Sequence, residues 1–272
     1  MDRSPHTAAF RRLHQDGILI LANAWDAGTA RLIESLGAKA IATTSAGVAW
    51  SHGYADGDLL PVPRLLSTVS GILDAIAVPL TVDIEGGYSD DPQTVAKLVA
   101  QLADMGIAGI NLEDASAPPQ KLCAKIEAIK HACAGNGTDV FVNARTDVYL
   151  RGLVPVERRI EETLAREALY RDAGADGLFV PGIADREAII AIAAKAQLPL
   201  NVLVRASLPD AADLQSWGVR RLSAGSDIAE SVYRRVALLA TGFLRDGLSA
   251  PLSADAMPYS ELNALFAETG KR

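Results

Sequence analysis

The sequence predicts a (β/α)₈ barrel of the TIM type, on three observations. Eight short apolar runs can be picked out, helix-period segments follow most of them, and the 272 residues continue without a proline-rich linker or a shift in composition. Strands that alternate with helices pair in parallel, and eight such units in series suit a closed barrel better than an open sheet. The runs are Ile18 to Leu21, Ala40 to Thr44, Leu80 to Ile84, Gly109 to Leu112, Val140 to Asn143, Gly177 to Val180, Leu200 to Val204 and Arg220 to Leu222. A doubly wound sheet is the alternative; no Gly-x-Gly-x-x-Gly opening a helix after a strand supports it.

The segments between the runs carry helix signals. Asp91-Pro92 supplies an N-cap and a proline at the first helical position, Val95, Leu98, Val99, Leu102 and Met105 form a stripe at helical spacing, and Gly106 stops it. The same grammar recurs in Glu157 to Ala173 with Gly174, in Asp185 to Ala196, and in Pro209 to Trp217 with Gly218. These helices are expected to form the outer ring, so their apolar stripes are core. The chain thus reads as one barrel domain over residues 1–272. Residues 248–272 form a helical tail that contains Pro251, Pro258 and a final helix from Tyr259 to Thr269.

Composition narrows the function classes. Hydrophobic residues make up 49% and charged residues 22%, a globular balance. No apolar stretch reaches the length of a membrane span, and Met1 to His6 has no apolar core of a leader, so a cytoplasmic protein without membrane partners is expected. A net charge of −7 argues against nucleic acid as partner, because phosphate binding needs a positive face. Cys123 and Cys133 fall in one expected helix, about 15 Å apart along its axis, and cannot pair there.

In a barrel, chemistry gathers at the C-terminal ends of the strands. Those ends hold Asn23 and Asp26, Thr44 and Ser45, Asp83 and Glu85, Asn111, Glu113 and Asp114, Asn143 with Arg145 and Asp147, and Ser223 with Ser226. Any single Asn or Asp there can simply begin a solvated loop. Asp83 and Glu85, in Val82-Asp83-Ile84-Glu85-Gly86-Gly87-Tyr88, are different: on a strand, residues i and i+2 share a face. Two carboxylates converging in an apolar setting need a cation or a shared proton, and hard oxygens favour Mg²⁺, with Mn²⁺ the alternative. Arg145 could fork onto a substrate anion or form a structural ion pair with Asp147. No lysine lies at a strand end, which argues against a Schiff-base aldolase, and no two of the four histidines have zinc-ligand spacing. His52, Trp50, Tyr54 and Tyr88 lie in segments that could approach the mouth.

Across nearly its full length the chain resembles the isocitrate lyase and phosphoenolpyruvate mutase superfamily. The motifs are Thr44-Ser45-Ala46-Gly47-Val48, Gly57-Asp58, Val82 to Tyr88, Asn111-Leu112-Glu113-Asp114 and Asn143-Ala144-Arg145-Thr146-Asp147. The resemblance implies a last helix exchanged between subunits, giving a homo-oligomer (dimer or tetramer), and a Mg²⁺ site that stabilises the enolate of an α-oxo acid. By position it implies metal ligands Asp83, Glu85 and Glu113, with Asp58 in the same acidic shell and some of these acting through water. Asp58, Glu113 and Arg145 become the catalytic candidates. Ser45, Ala46, Gly47, Arg145 and Asn201 become the substrate-binding ones.

Two departures shape the expectation. Glu85 stands where many members have aspartate. The loop after Glu113-Asp114 runs only from Ala115 to Gln120 before an expected helix, without the Cys-Gly-His motif of the larger lyases; Cys123 reads as a helix residue. The expected activity is therefore a Mg²⁺-dependent lyase or decarboxylase that cleaves a C–C bond of a small anionic oxo- or hydroxy-dicarboxylate. Phosphonopyruvate hydrolase or phosphoenolpyruvate mutase-like P–C chemistry is the alternative. A non-catalytic, metal-dependent carboxylate-binding protein is the reading from another class.

Overall fold

A computed structural model describes residues 4–267. The strands are β1 (Leu19–Leu21), β2 (Asn23–Ala24), β3 (Ile41–Thr43), β4 (Leu80–Asp83), β5 (Gly109–Glu113), β6 (Phe141–Arg145), β7 (Gly177–Val180), β8 (Leu200–Leu203) and β9 (Arg221–Ser223). The helices are α1 (Ser4–Leu13), α2 (Ala27–Ser35), α3 (Ser45–Ser51), α4 (Val62–Ala75), α5 (Pro92–Met105), α6 (Pro119–Gly135), α7 (Arg159–Asp172), α8 (Arg186–Lys195), α9 (Ala211–Ser216), α10 (Asp227–Asp246), α11 (Ala250–Ser253) and α12 (Tyr259–Ala267). All strand pairs are parallel, from β2 with β3 in order round to β9 with β1. Because β1 and β2 are two pieces of one barrel position, separated by Ala22, the sheet is a (β/α)₈ barrel with a seam inside its first strand.

The expected runs and strands coincide to within a residue or two at their ends. β4, β5 and β6 are buried on both faces up to their last residues, as continuous apolar runs between a helical layer and a packed interior require. Asp91 caps α5 by accepting from the Gln93 and Thr94 N–H groups, and Gly106 ends it at φ 99°. The final helix expected to Thr269 is present from Tyr259 to Ala267; its last two positions lie outside the described residues. Both cysteines are free thiols on α6.

α1 closes the N-terminal end of the barrel. Phe10 is fully buried and meets Phe141 edge-on at 5.4 Å, while His14 stacks on Phe141 at 4.3 Å. Opposite sides of the seam are dressed differently. Ile20 faces outward from β1 and is 57% exposed, because α10, which follows β9, leaves the barrel instead of covering it. Along α10 only Ala229 is buried, while Ile228, Val232, Val236 and Leu244 stand exposed. α12 returns to α2, where Arg31 Nε donates to the Leu265 carbonyl at 3.3 Å. No helix among the described residues is long and apolar enough to cross a membrane.

Candidate active site at the carboxyl ends of the strands

A cavity of about 350 Å³ opens at the C-terminal ends of the strands. Asn23, Ser45, Ala46, Asp83, Asn111 and Arg145 line it, with Ser223 and Arg205 contributed by the last two strands and their loops. These side chains come from elements far apart in sequence, and the parallel barrel alone brings them to one mouth. At its edge α3 begins with Thr44 as an N-cap that makes no side-chain capping bond, leaving the first N–H groups of the helix without a side-chain partner from that cap. Gly47 lies one layer back, buried; a Cβ there would sit 2.8 Å from Thr44 Cγ2 and 3.0 Å from Trp25 Cβ.

Asp83 ends β4 and faces the cavity, its own N–H held by Thr43 Oγ1 at 2.8 Å. Burial pushes its carboxyl above the usual range; the Arg145 charge and N–H groups of Glu85 and Ser45 oppose that shift. Glu85 departs from the alternation read in the sequence. The strand stops at Asp83, and Glu85 takes φ 53°, which turns its carboxylate away along a loop. There it accepts from the Gly57 N–H at 2.7 Å, from the Asp58 N–H, and from Tyr88 Oη at 3.1 Å. Asp58 reciprocates by accepting from the Tyr88 N–H at 3.0 Å. The two loops form a clasp in which Asp58, Glu85 and Tyr88 all have positive φ, and Lys125 Nζ secures it by donating to the Gly86 carbonyl at 2.6 Å. Burial, then neighbouring Asp56, Asp58 and Asp83, raise Glu85 to about 7 against the Asp58 N–H.

Glu113 ends β5 directly beside Arg145 at the end of β6, its register partner, and the two are ion-paired. Burial pushes the Glu113 carboxyl up, Arg145 pulls it down, and Asp83, Asp147 and Glu85 push it up further. The Arg145 fork is also occupied by Asp147, with Nε to Oδ1 at 2.8 Å and Nη2 to Oδ2 at 3.1 Å. Both readings of Arg145 thus meet in one side chain: it lines the cavity and is tied to two carboxylates. Asp114 belongs to a buried lattice instead, accepting from Arg166 Nη1 at 2.7 Å, from Tyr170 Oη, and from the Asp147 N–H at 3.0 Å. Asn201 is buried beneath the floor of the cavity among backbone carbonyls. His52 turns to Thr68 Oγ1 at 2.8 Å, and Trp50 packs against Tyr233.

The donors suit a hard divalent cation in kind: carboxylate oxygens crowded closely enough to raise one another's pKa. Their placement is more selective. Asp83 is the one that both faces the cavity and was expected as a ligand, while Glu85 and Glu113 are drawn to N–H groups and to Arg145; among the described residues no three such side chains converge on one point. Arg205, Asp56 and Phe179 also line the cavity and sit outside the motifs: loop geometry brings in Arg205 and Asp56, while Phe179 comes from β7.

Fold and site together define a (β/α)₈ barrel protein with a carboxylate- and arginine-lined cavity at the carboxyl ends of its strands. The chain belongs to the phosphoenolpyruvate phosphomutase family, whose model matches residues 10–244. It is 39% identical to a putative phosphonomutase from Burkholderia cenocepacia, with a TM-score of 0.83 over 87% of this chain and 99% of that one. It is 30% identical to an oxaloacetate decarboxylase from Bradyrhizobium over 88% of this chain and 84% of the relative. At the level of fold alone it matches a phosphonopyruvate hydrolase solved with oxalate and Mg²⁺, at 22% identity and a TM-score of 0.82 over 96% and 94% of the two chains.

Proposed function

We propose that the protein is a Mg²⁺-dependent lyase or decarboxylase that cleaves a C–C bond of a small oxo- or hydroxy-dicarboxylate through the enolate of an α-oxo acid. The observation that carries this reading is Asp83 facing a cavity that also holds the uncapped start of α3 and the Arg145 fork. Asp83, with Glu85 and Glu113 in the acidic shell around it, would hold the cation. When bound, Mg²⁺ supplies positive charge at the oxygen on which the enolate develops.

The chain's own residues do the rest. Ser45 offers its hydroxyl and Ala46 its backbone N–H to the substrate carboxylate, while the Ser45 N–H faces Asp83. Arg145 keeps Glu113 and Asp147 in place and presents its remaining positive face to the cavity. The clasp holds the Glu85 carboxylate on the Gly57 and Asp58 N–H groups while the Glu85 N–H donates to Asp83 Oδ1 at 3.3 Å, so the loop beside Asp83 is fixed before substrate arrives. Only Asp114 to Pro118 separate β5 from α6, and Cys123 and Cys133 lie on α6 rather than in the cavity lining. A thiol acid is therefore not at hand, which favours substrates whose departing fragment needs none, such as carbon dioxide.

The exposed apolar stripe of α10 and the uncovered Ile20 suit pairing with a second copy of the chain, as a homo-oligomer with exchanged helices. To test the activity, the protein with Mg²⁺ is given oxaloacetate, 2-substituted malates and phosphonopyruvate in parallel, and both α-oxo acid and inorganic phosphate are measured. The expected result is α-oxo acid from a dicarboxylate. Phosphate from phosphonopyruvate alone would move the assignment to P–C chemistry, and oxalate binding without turnover of any of them would leave a binding protein.

A further inference from the structure

We propose that Asn111 donates its side-chain amide to an anionic oxygen of the bound substrate, and that Arg221, buried beneath it, is the positioning residue that holds the amide in that orientation. The inference rests on the cavity being the substrate site. Arg221 is fully buried inside the barrel, where its guanidinium lies 6.0 Å from the Phe10 ring. Its Nε donates to Ser223 Oγ at 3.1 Å and its Nη2 to Asn111 Oδ1 at 3.2 Å, and Nη1 has no hydrogen-bond partner among the described residues. Both acceptors, Ser223 and Asn111, line the cavity directly above.

Donor and acceptor chemistry fixes which way the amides face. A guanidinium has no acceptor, so Asn111 must turn Oδ1 toward Arg221. A second chain of constraints reaches the same answer from the neighbouring strands. Asn201 Nδ2 is committed to the Val202 carbonyl at 2.9 Å and the Arg221 carbonyl at 3.1 Å, groups that only accept. Asn201 therefore presents Oδ1 to Asn143, and Asn143 must answer with Nδ2, which donates at 2.9 Å both to Asn201 Oδ1 and to Asn111 Oδ1. With its oxygen held from two sides, Asn111 is left with Nδ2 as its group for the cavity, and no acceptor among the described residues takes it.

The bonds made by the buried Arg221 side chain go to neutral oxygens. A desolvated cation so placed has only the longer-range charge of Asp83 to offset its burial; an anion bound above Asn111 adds to it, and the intervening amide passes the field upward. A carboxylate or enolate oxygen is the group that fits, whereas a neutral carbonyl gains less.

The decisive variant is Asn111→Asp. It keeps an oxygen for Asn143 and Arg221 and adds a charge partner for the guanidinium, but it replaces the cavity-facing N–H₂ by an oxygen. The probe is oxalate, a planar dianion shaped like the enolate of an α-oxo acid, titrated calorimetrically at saturating Mg²⁺ alongside an unfolding midpoint. The expected result is oxalate binding weakened about 10- to 100-fold, the worth of one charge-assisted hydrogen bond, with a midpoint equal to or above wild type. Unchanged affinity in Asn111→Asp overturns the inference while leaving the substrate site intact. Arg221→Met is expected to weaken oxalate binding and Arg221→Lys to recover part of it; a folded Arg221→Met that binds like wild type removes the positioning role, and Asn111→Asp decides even if the loss of Arg221 unfolds the barrel. Wild type that fails to bind oxalate overturns the substrate-site reading itself and this inference with it.

Discussion

Gly86 sits where two loops are held together by side chains of like charge. A Cβ at that position would lie 2.7 Å from Asp58 Oδ2, closer than real contacts allow. Gly86→Ala is therefore expected to push Asp58 off the Tyr88 N–H and open the clasp, at a cost of about 1–3 kcal/mol. Chemical denaturation would read this, and an unchanged midpoint would show that the clasp yields freely. Lys125→Met removes the ammonium from the Gly86 carbonyl and should loosen the same loop, seen as faster amide exchange over residues 85–88. Asp83 and Glu85 are legible in the sequence because acidic residues beside a glycine pair stand out. Where Glu85 points is not legible, since alternation assumes extended backbone and φ 53° breaks that assumption. Arg221 was visible as an arginine at a strand position, yet its burial depends on seven other strands that no local pattern encodes.

Two helices carry the element-scale expectations. α1 precedes the first apolar run and is not among the helices expected from the sequence; it plugs the barrel with Phe10 and His14. Burial foremost, then the charge of Arg221, lower the His14 pKa to about 3. In the unfolded chain this imidazole takes up its proton near pH 6.5, whereas in the folded protein it stays neutral until about 3. Stability is therefore greatest above pH 6.5 in this respect and is lost as pH falls from 6.5 towards 3, by up to about 1.4 kcal/mol per pH unit. Denaturant midpoints across that range should show the slope in wild type and a shallower one in His14→Phe, which keeps the ring against Phe141. α12 docks on α2 through the Arg31 contact to the Leu265 carbonyl, and exposed apolar side chains run along α10 and on into the tail at Leu248, Leu252, Tyr259 and Leu262. Glutamate at both Val236 and Leu244 should reduce the sedimenting mass of an assembled protein; a wild type that sediments as a monomer at every concentration contradicts assembly through this helix.

For the molecule as a whole, the barrel was legible because its strands are buried on both faces and so read as unbroken apolar runs between capped helices. The seam at Ala22 was not legible, as it depends on how the ends of the sheet meet. What the ring of strands achieves is convergence: Asp83, Asn111 and Arg145, separated by up to sixty-odd residues, reach one cavity above a buried arginine. In the proposed function, this convergence serves Mg²⁺-dependent cleavage to an α-oxo acid. Its most direct test is the initial rate of α-oxo acid release from oxaloacetate and 2-substituted malates, corrected for the protein-free reaction. Wild type with Mg²⁺ is expected to turn over at least one of them, with EDTA or Asp83→Ala reducing the rate to background; a rate indifferent to both, or none above background, would contradict the account.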